Sequence, residues 1–120
     1  MVEHDQAALF LQLLRTCVVN DFRFERRPEN MATLVRFGMR IPDARSHILT
    51  LATSDYVCGP TPRPGNSSQE AWVFGVTIQR TLVYVKLCVR VEPARCVCVS
   101  FHEAERPMVF PYSRRSEEKE

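Results

Sequence analysis

Lysine is nearly absent from this chain. Its 120 residues hold fourteen arginines and two lysines, Lys86 and Lys119, so only one lysine precedes the C-terminal tail. No apolar run reaches the roughly 20 residues of a membrane-spanning helix. The N-terminus MVEHDQ has no basic segment of the kind that opens a signal peptide. The expected location is therefore the cytoplasm. A disulfide framework is also missing. Cys17, Cys58, Cys88, Cys96 and Cys98 are odd in number and match no such spacing, which reads them as small buried apolar residues in a reducing compartment. There is no Cys-x₂₋₄-Cys knuckle, which counts against a zinc site built from Cys88, Cys96, Cys98 and His102. No cofactor is expected. Internal repeats are absent, and a net charge of +2 singles out no partner. The arginine excess fits phosphate or carboxylate contacts, and equally a bias in base composition.

What is present is an ordinary globular composition, 45% hydrophobic and 25% charged. The length suits one domain over 1–112, able to bury a core without staples, with a polar tail at 113–120. Residues 5–19 have the spacing of an amphipathic helix, with Phe10, Leu13, Leu14, Cys17 and Val18 inward. Asn20-Asp21 breaks it, and 22–26 alternates as a short edge strand. Pro28 opens a second helix and Gly38 follows its end, with Met31, Leu34 and Val35 as its apolar side. A third helix runs from Pro42-Asp43 to about Ala52, with Ala44, Ile48 and Leu51 inward. Residues 57–70, rich in Pro, Gly, Asn and Ser, read as a loop.

Three strands follow. Residues 71–78 pair with 82–91 through a two-residue turn at Gln79-Arg80. That turn sets Ile78 opposite Thr81, Val76 opposite Val83, Phe74 opposite Val85 and Trp72 opposite Leu87. Gly75 falls opposite Tyr84 and leaves a hollow over the sheet. A second turn at Glu92–Arg95 leads to a strand ending at His102. Alternation places Val97, Val99 and Phe101 on the core face and Cys96, Cys98, Ser100 and His102 on the other. Val91 then meets Val97, and Lys86 meets His102. The apolar stretch 107–112 is expected along a sheet edge. The class is α+β, a small antiparallel sheet with helices on one face, in the order α-β-α-α-β-β-β.

The polar face of this hairpin gathers Tyr84, Lys86 and His102. An imidazole titrates near neutrality and serves as general acid or base. A mid-strand lysine either extends to solvent or holds an anion, and Tyr84 adds a phenol as substrate positioner or auxiliary base. Together they suit RNA cleavage without a metal. A base takes the ribose 2′-hydroxyl proton, the oxygen attacks the adjacent phosphate, and a cation stabilises the developing charge. Glu103 and Glu105 could orient His102, act as base, or be surface carboxylates. Arg26, Arg27, Arg90 and Arg106 are candidate RNA phosphate contacts, each with a plain solvated alternative. A nucleophilic role for Cys58 is a weaker reading.

Leu51–Cys58 (LATSDYVC), Ala71–Gly75 (AWVFG), Val83–Leu87 (VYVKL) and Cys98–Tyr112 (CVSFHEAERPMVFPY) together resemble the MqsR family of RelE-like mRNA interferases. The resemblance covers about residues 26–112. It implies a RelE-like α+β fold and a toxin that cleaves mRNA, free or on the ribosome. It further implies inhibition by a cognate antitoxin, a helix-turn-helix protein. The family's strand tyrosine and lysine are matched by Tyr84 and Lys86. A family lysine falls at Cys58, a glutamine at Val73, and a lysine of the last strand at His102. The family's catalytic set thus carries over only in part, although His102 is similar in position to the catalytic histidine of other RelE-like toxins. The rival reading is a non-catalytic module of the same fold whose polar face binds a protein.

Overall fold

The computed structural model describes residues 4–63 and 66–113, with backbone alone over 62, 63 and 66–69. The tail beyond Ser113 lies outside the described residues. Apolar residues at helical spacing form α1 (His4–Asn20), which buries Ala7, Phe10, Leu11, Leu14, Cys17 and Val18. The Asn20 amide ties the helix end to the sheet by donating to the Ala94 carbonyl at 2.6 Å. α2 (Pro28–Phe37) begins on its proline and closes at Gly38, whose φ of 65° lets Met39 N–H reach the Leu34 carbonyl at 2.8 Å. Its inner face is rotated from the expected stripe. Asn30, Thr33, Leu34 and Phe37 are buried, while Val35 is 80% exposed.

α3 (Ile41–Leu49) is capped by the Asp43 carboxylate, which accepts the Arg40 N–H at 2.8 Å. It stops before Ala52 because the chain turns into a 3₁₀ segment, Thr53–Asp55. There the Asp55 carboxylate accepts the Ala52 N–H at 2.9 Å. Ala44, Ile48 and Leu51 are buried as the pattern predicts. No described helix is long and apolar enough to cross a membrane.

Five strands form one sheet, in the order β1-β5-β4-β3-β2: β1 (Phe22–Phe24), β2 (Tyr56–Arg63), β3 (Asn66–Ile78), β4 (Thr81–Val91) and β5 (Ala94–Glu103). Neighbours are antiparallel except β1 and β5, which run parallel. The α+β class with helices on one face holds, with one strand more than the sequence pattern showed. Residues 57–70 are largely a strand pair, β2 and the start of β3, and not a loop. The prolines are tolerated because β2 is an edge strand, and its pairing shifts register three times along its length. Gly59 takes φ 130°, and a Cβ there would stand 2.9 Å from the Ala71 carbonyl oxygen.

The β3–β4 register is the expected one at every pair from Trp72–Leu87 to Ile78–Thr81. Gln79 and Arg80 both adopt left-handed φ, 50° and 66°, so the tight hairpin forms without glycine. The Gln79 side chain helps to hold it by donating to the Phe37 carbonyl at 3.0 Å. The core fills between this sheet and the helices. Phe74, Val83, Val85, Leu87 and Phe101 are fully buried, and Trp72 stacks on Phe10 at 4.3 Å. Such a ring pair adds about 0.5–1.5 kcal/mol beyond its area.

The β4–β5 register departs from expectation. The turn is tighter, with Val91 opposite Ala94, and an extra residue enters between the Leu87–Cys98 and Lys86–Ser100 pairs. That residue is Val99. Below the bulge, the side-chain alternation of β5 is opposite to the one expected. Cys96 and Cys98 face the helices, while Val99 packs with Ala71 and Cys88 on the helix-free face, and Val97 lies against them. Above the bulge, alternation returns to the expected phase, so Phe101 is core and His102 is not. Asn30 secures this stretch. Fully buried, it donates to the Glu25 and Val99 carbonyls at 2.9 and 3.0 Å and accepts the Phe101 N–H at 2.9 Å. Its amide continues the β5 edge where β1 has ended.

The segment after β5 does not follow an edge. Ala104 N–H bonds to the Leu82 carbonyl, and Met108 and Phe110 then cross the helix-free face above Gly75. A Cβ at Gly75 would lie 2.8 Å from Met108 Sδ and from the Phe110 ring. The hollow that glycine leaves is therefore occupied by this strap. Tyr112 ends it, stacked on Tyr56 at 5.4 Å, with the His4 ring edge-on at 5.2 Å.

Candidate functional site

We call the strip of helix-free sheet face that lies between the apolar cluster of Ala71, Cys88 and Val99 and the strap the trough. Two rows of paired residues lie between. Cys58, Val73, Lys86 and Ser100 form the first, and Gly75, Tyr84 and His102 the second. The expected pairing of Lys86 with His102 is thus corrected. The bulge puts His102 opposite Tyr84 and Ser100 opposite Lys86, so Lys86 and His102 are diagonal neighbours.

The Tyr84 and His102 rings stack at 5.4 Å with planes 18° apart. His102 Nδ1 lies 3.0 Å from the Glu103 carbonyl oxygen. A carbonyl only accepts, so Nδ1 is the donor in this contact, and Nε2 is the nitrogen left for proton transfer. Glu103 therefore orients His102 through its backbone. Its carboxylate is engaged elsewhere, with Arg36.

Lys86 is half-buried and has neither an ion pair nor a hydrogen bond among the described residues. An ammonium drawn partly from water without a counter-ion is a ready anion site. The Tyr84 hydroxyl also lacks a partner among the described residues. Burial, and then the nearby Cys58 sulfur, push its phenol above the usual tyrosine range. Tyr84 is accordingly held as the neutral phenol, a hydrogen-bond donor.

Cys58, read in sequence as a minor candidate, stands close enough to feel both groups. Burial raises its thiol and Lys86 draws it back down, with burial the larger influence. It stays a thiol, a poor nucleophile. Cys96 and Cys98 face the helices while Cys88 and His102 face the trough, so these four residues cannot share one ion. No group of three His, Cys, Asp or Glu converges among the described residues.

The arginines read as phosphate contacts do not form one patch. Arg26 and Arg27 follow β1, with Arg27 paired to Glu25 at 3.0 Å. Arg90 lies near the distal β4–β5 turn, beside a groove lined by Leu9, Phe10 and Trp72. Arg106, on the strap, shares a hollow with Arg80 at the β3–β4 turn, together with Glu103 and Glu105. The sequence pattern overlooked Asn30 and Arg80. Asn30 was legible as a polar residue at i, i+4, i+7 spacing with Leu34 and Phe37, a stripe that should have carried only apolar groups. Nothing in the sequence marked Arg80 beyond its place in a turn. Comparison with protein-family models, with curated proteins and with solved structures finds no match to this chain.

Proposed function

We propose that this chain is a metal-independent RNA endonuclease of the MqsR type, the toxin of a toxin–antitoxin pair, with the trough as its active site. The observation that carries the reading is His102 stacked on Tyr84 beside Lys86, which has no ion pair or hydrogen bond among the described residues. The five positions matched to family functional residues, Cys58, Val73, Tyr84, Lys86 and His102, also share two adjacent rows of one face.

In this mechanism a ribose 2′-hydroxyl gives its proton to His102 Nε2 as its oxygen bonds to the adjacent phosphorus. The Lys86 ammonium stabilises charge on the non-bridging oxygens. The P–O5′ bond breaks in line, and the Tyr84 hydroxyl protonates the departing oxygen. The products are a 2′,3′-cyclic phosphate and a 5′-hydroxyl, and solvent restores both side chains.

The test incubates purified protein with single-stranded RNA in EDTA, with and without ribosomes. Cyclic-phosphate ends that vanish in His102→Ala and fall about 10²-fold or more in Lys86→Ala are expected. RNA left intact in both settings overturns the reading and favours a protein-binding role for the same face.

A further inference from the structure

Beyond the strap, the helix-free face continues into a solvent-open hollow of about 1010 Å³. We infer that this hollow is a subsite for one nucleotide flanking the cleaved bond, selective for bases that carry an exocyclic amino group. The inference rests on the RNA reading above. Three features of the lining carry it.

The first is an aromatic wall. Phe110 and Tyr112 line the hollow. Tyr112 is fixed by stacking on Tyr56 with planes 24° apart and by the edge of His4. A preset ring is the usual platform for an unstacked RNA base. The second is an acceptor in the same lining. Asp55 lines the same hollow, and one of its carboxylate oxygens holds the Ala52 N–H at 2.9 Å. The other accepts nothing among the described residues. A carboxylate accepts from the exocyclic amino group of cytosine, adenine or guanine, a donor that uracil lacks. Thr53 and Thr77 add hydroxyls beside it.

The third feature is a cation at the rim. Arg80 lines the hollow and forms no ion pair or hydrogen bond among the described residues. Its left-handed φ of 66° belongs to the tight β3–β4 turn, from which the exposed side chain lines the rim. Stacking platform, amino-group acceptor and phosphate cation thus surround one space, on the same sheet face as Tyr84.

The experiment titrates ¹⁵N-labelled full-length protein with each of the four nucleoside 5′-monophosphates. No bond is cleaved, so the result does not depend on catalysis. Millimolar binding is expected, with shifts at the amides of Thr53, Asp55, Thr77, Arg80 and Tyr112. CMP, AMP and GMP should bind about 3- to 10-fold tighter than UMP. Arg80→Ala should weaken all four alike. Asp55→Asn keeps an acceptor for Ala52 N–H but presents a donor to the base, and should turn the preference toward UMP. Shifts that map elsewhere, or are absent at these amides, overturn the subsite. So do four equal affinities that Asp55→Asn leaves equal. If RNA is nonetheless cleaved with loss in His102→Ala, only the subsite falls.

Discussion

Asn30→Ala is the sharpest test of how this sheet is held. The side chain is fully buried and makes three hydrogen bonds, to the Glu25 and Val99 carbonyls and from the Phe101 N–H. Each is worth about 1 kcal/mol net, and a buried backbone group left without its partner costs about 1–3 kcal/mol. Alanine returns roughly half a kcal/mol through helix propensity. The expected loss is about 3–4 kcal/mol, a large share of the 5–15 kcal/mol typical of a domain. With a urea slope of about 1–3 kcal/mol/M, the unfolding midpoint should fall by about 1–4 M at unchanged slope. Hydrogen exchange at the Phe101 amide should accelerate more than at the β3–β4 pairs. A loss under about 1 kcal/mol, or a Phe101 amide as protected as before, would refute the reasoning. Asn30→Asp adds a pH arm. The introduced carboxyl faces two carbonyls in a buried site, so its folded pKa must rise above the unfolded value near 3.9. Stability of that variant should be greatest below the unfolded value and decline as pH rises through the folded one.

Two further predictions bear on the strap and on the β1 edge. Gly75→Ala places a methyl group against Met108 and Phe110, both on the strap and both able to shift. It should cost about 1–3 kcal/mol and speed exchange and proteolysis at 104–113 while the β3–β4 amides stay protected; uniform loss of protection would show the strap to be integral to the core. Asp21 is held below the usual carboxylate range by hydrogen bonds from Arg23 and then Arg95, at 3.0 and 2.7 Å. A depressed folded pKa contributes stability that is present above the unfolded value and lost as pH falls through the folded one. Asp21→Asn should therefore flatten the acid limb of a stability–pH curve below about pH 4; an unchanged limb would assign the acid sensitivity to other carboxylates.

The helices and the β3–β4 hairpin were readable because each is a local pattern with a clear period. Phe10, Leu14 and Cys17 repeat at helical spacing, and Trp72, Phe74 and Val76 alternate against Leu87, Val85 and Val83. Residues 57–70 were not readable, because proline and glycine carry the same local signal in a loop and in a bulged edge strand. Only pairing to Val73 and Ala71 distinguishes them. The strap was hidden for a similar reason. Its apolar residues are evident, but that they cross the sheet depends on Gly75 lying bare beneath them.

His102 pairs with Tyr84 and not with Lys86 as alternation predicts, yet all three share the expected face. Alternation alone gave β5 the register that buries Val97 and Val99, which required a longer turn than the one that forms. The actual turn pairs Val91 with Ala94. Continued without interruption, that register would set Phe101 opposite Tyr84 and His102 opposite Val83, turning the phenyl ring outward and the imidazole into the core. Burying Phe101 is worth about 1.5–3 kcal/mol, and an imidazole facing Val83 would lose its solvent partners. Inserting Val99 avoids both penalties, and the strand edge it distorts is the one that Asn30 grips. The residue that makes the bulge tolerable therefore also decides which side chain stands beside Tyr84 and Lys86. This couples the geometry of the trough to one buried amide on the opposite side of the sheet edge.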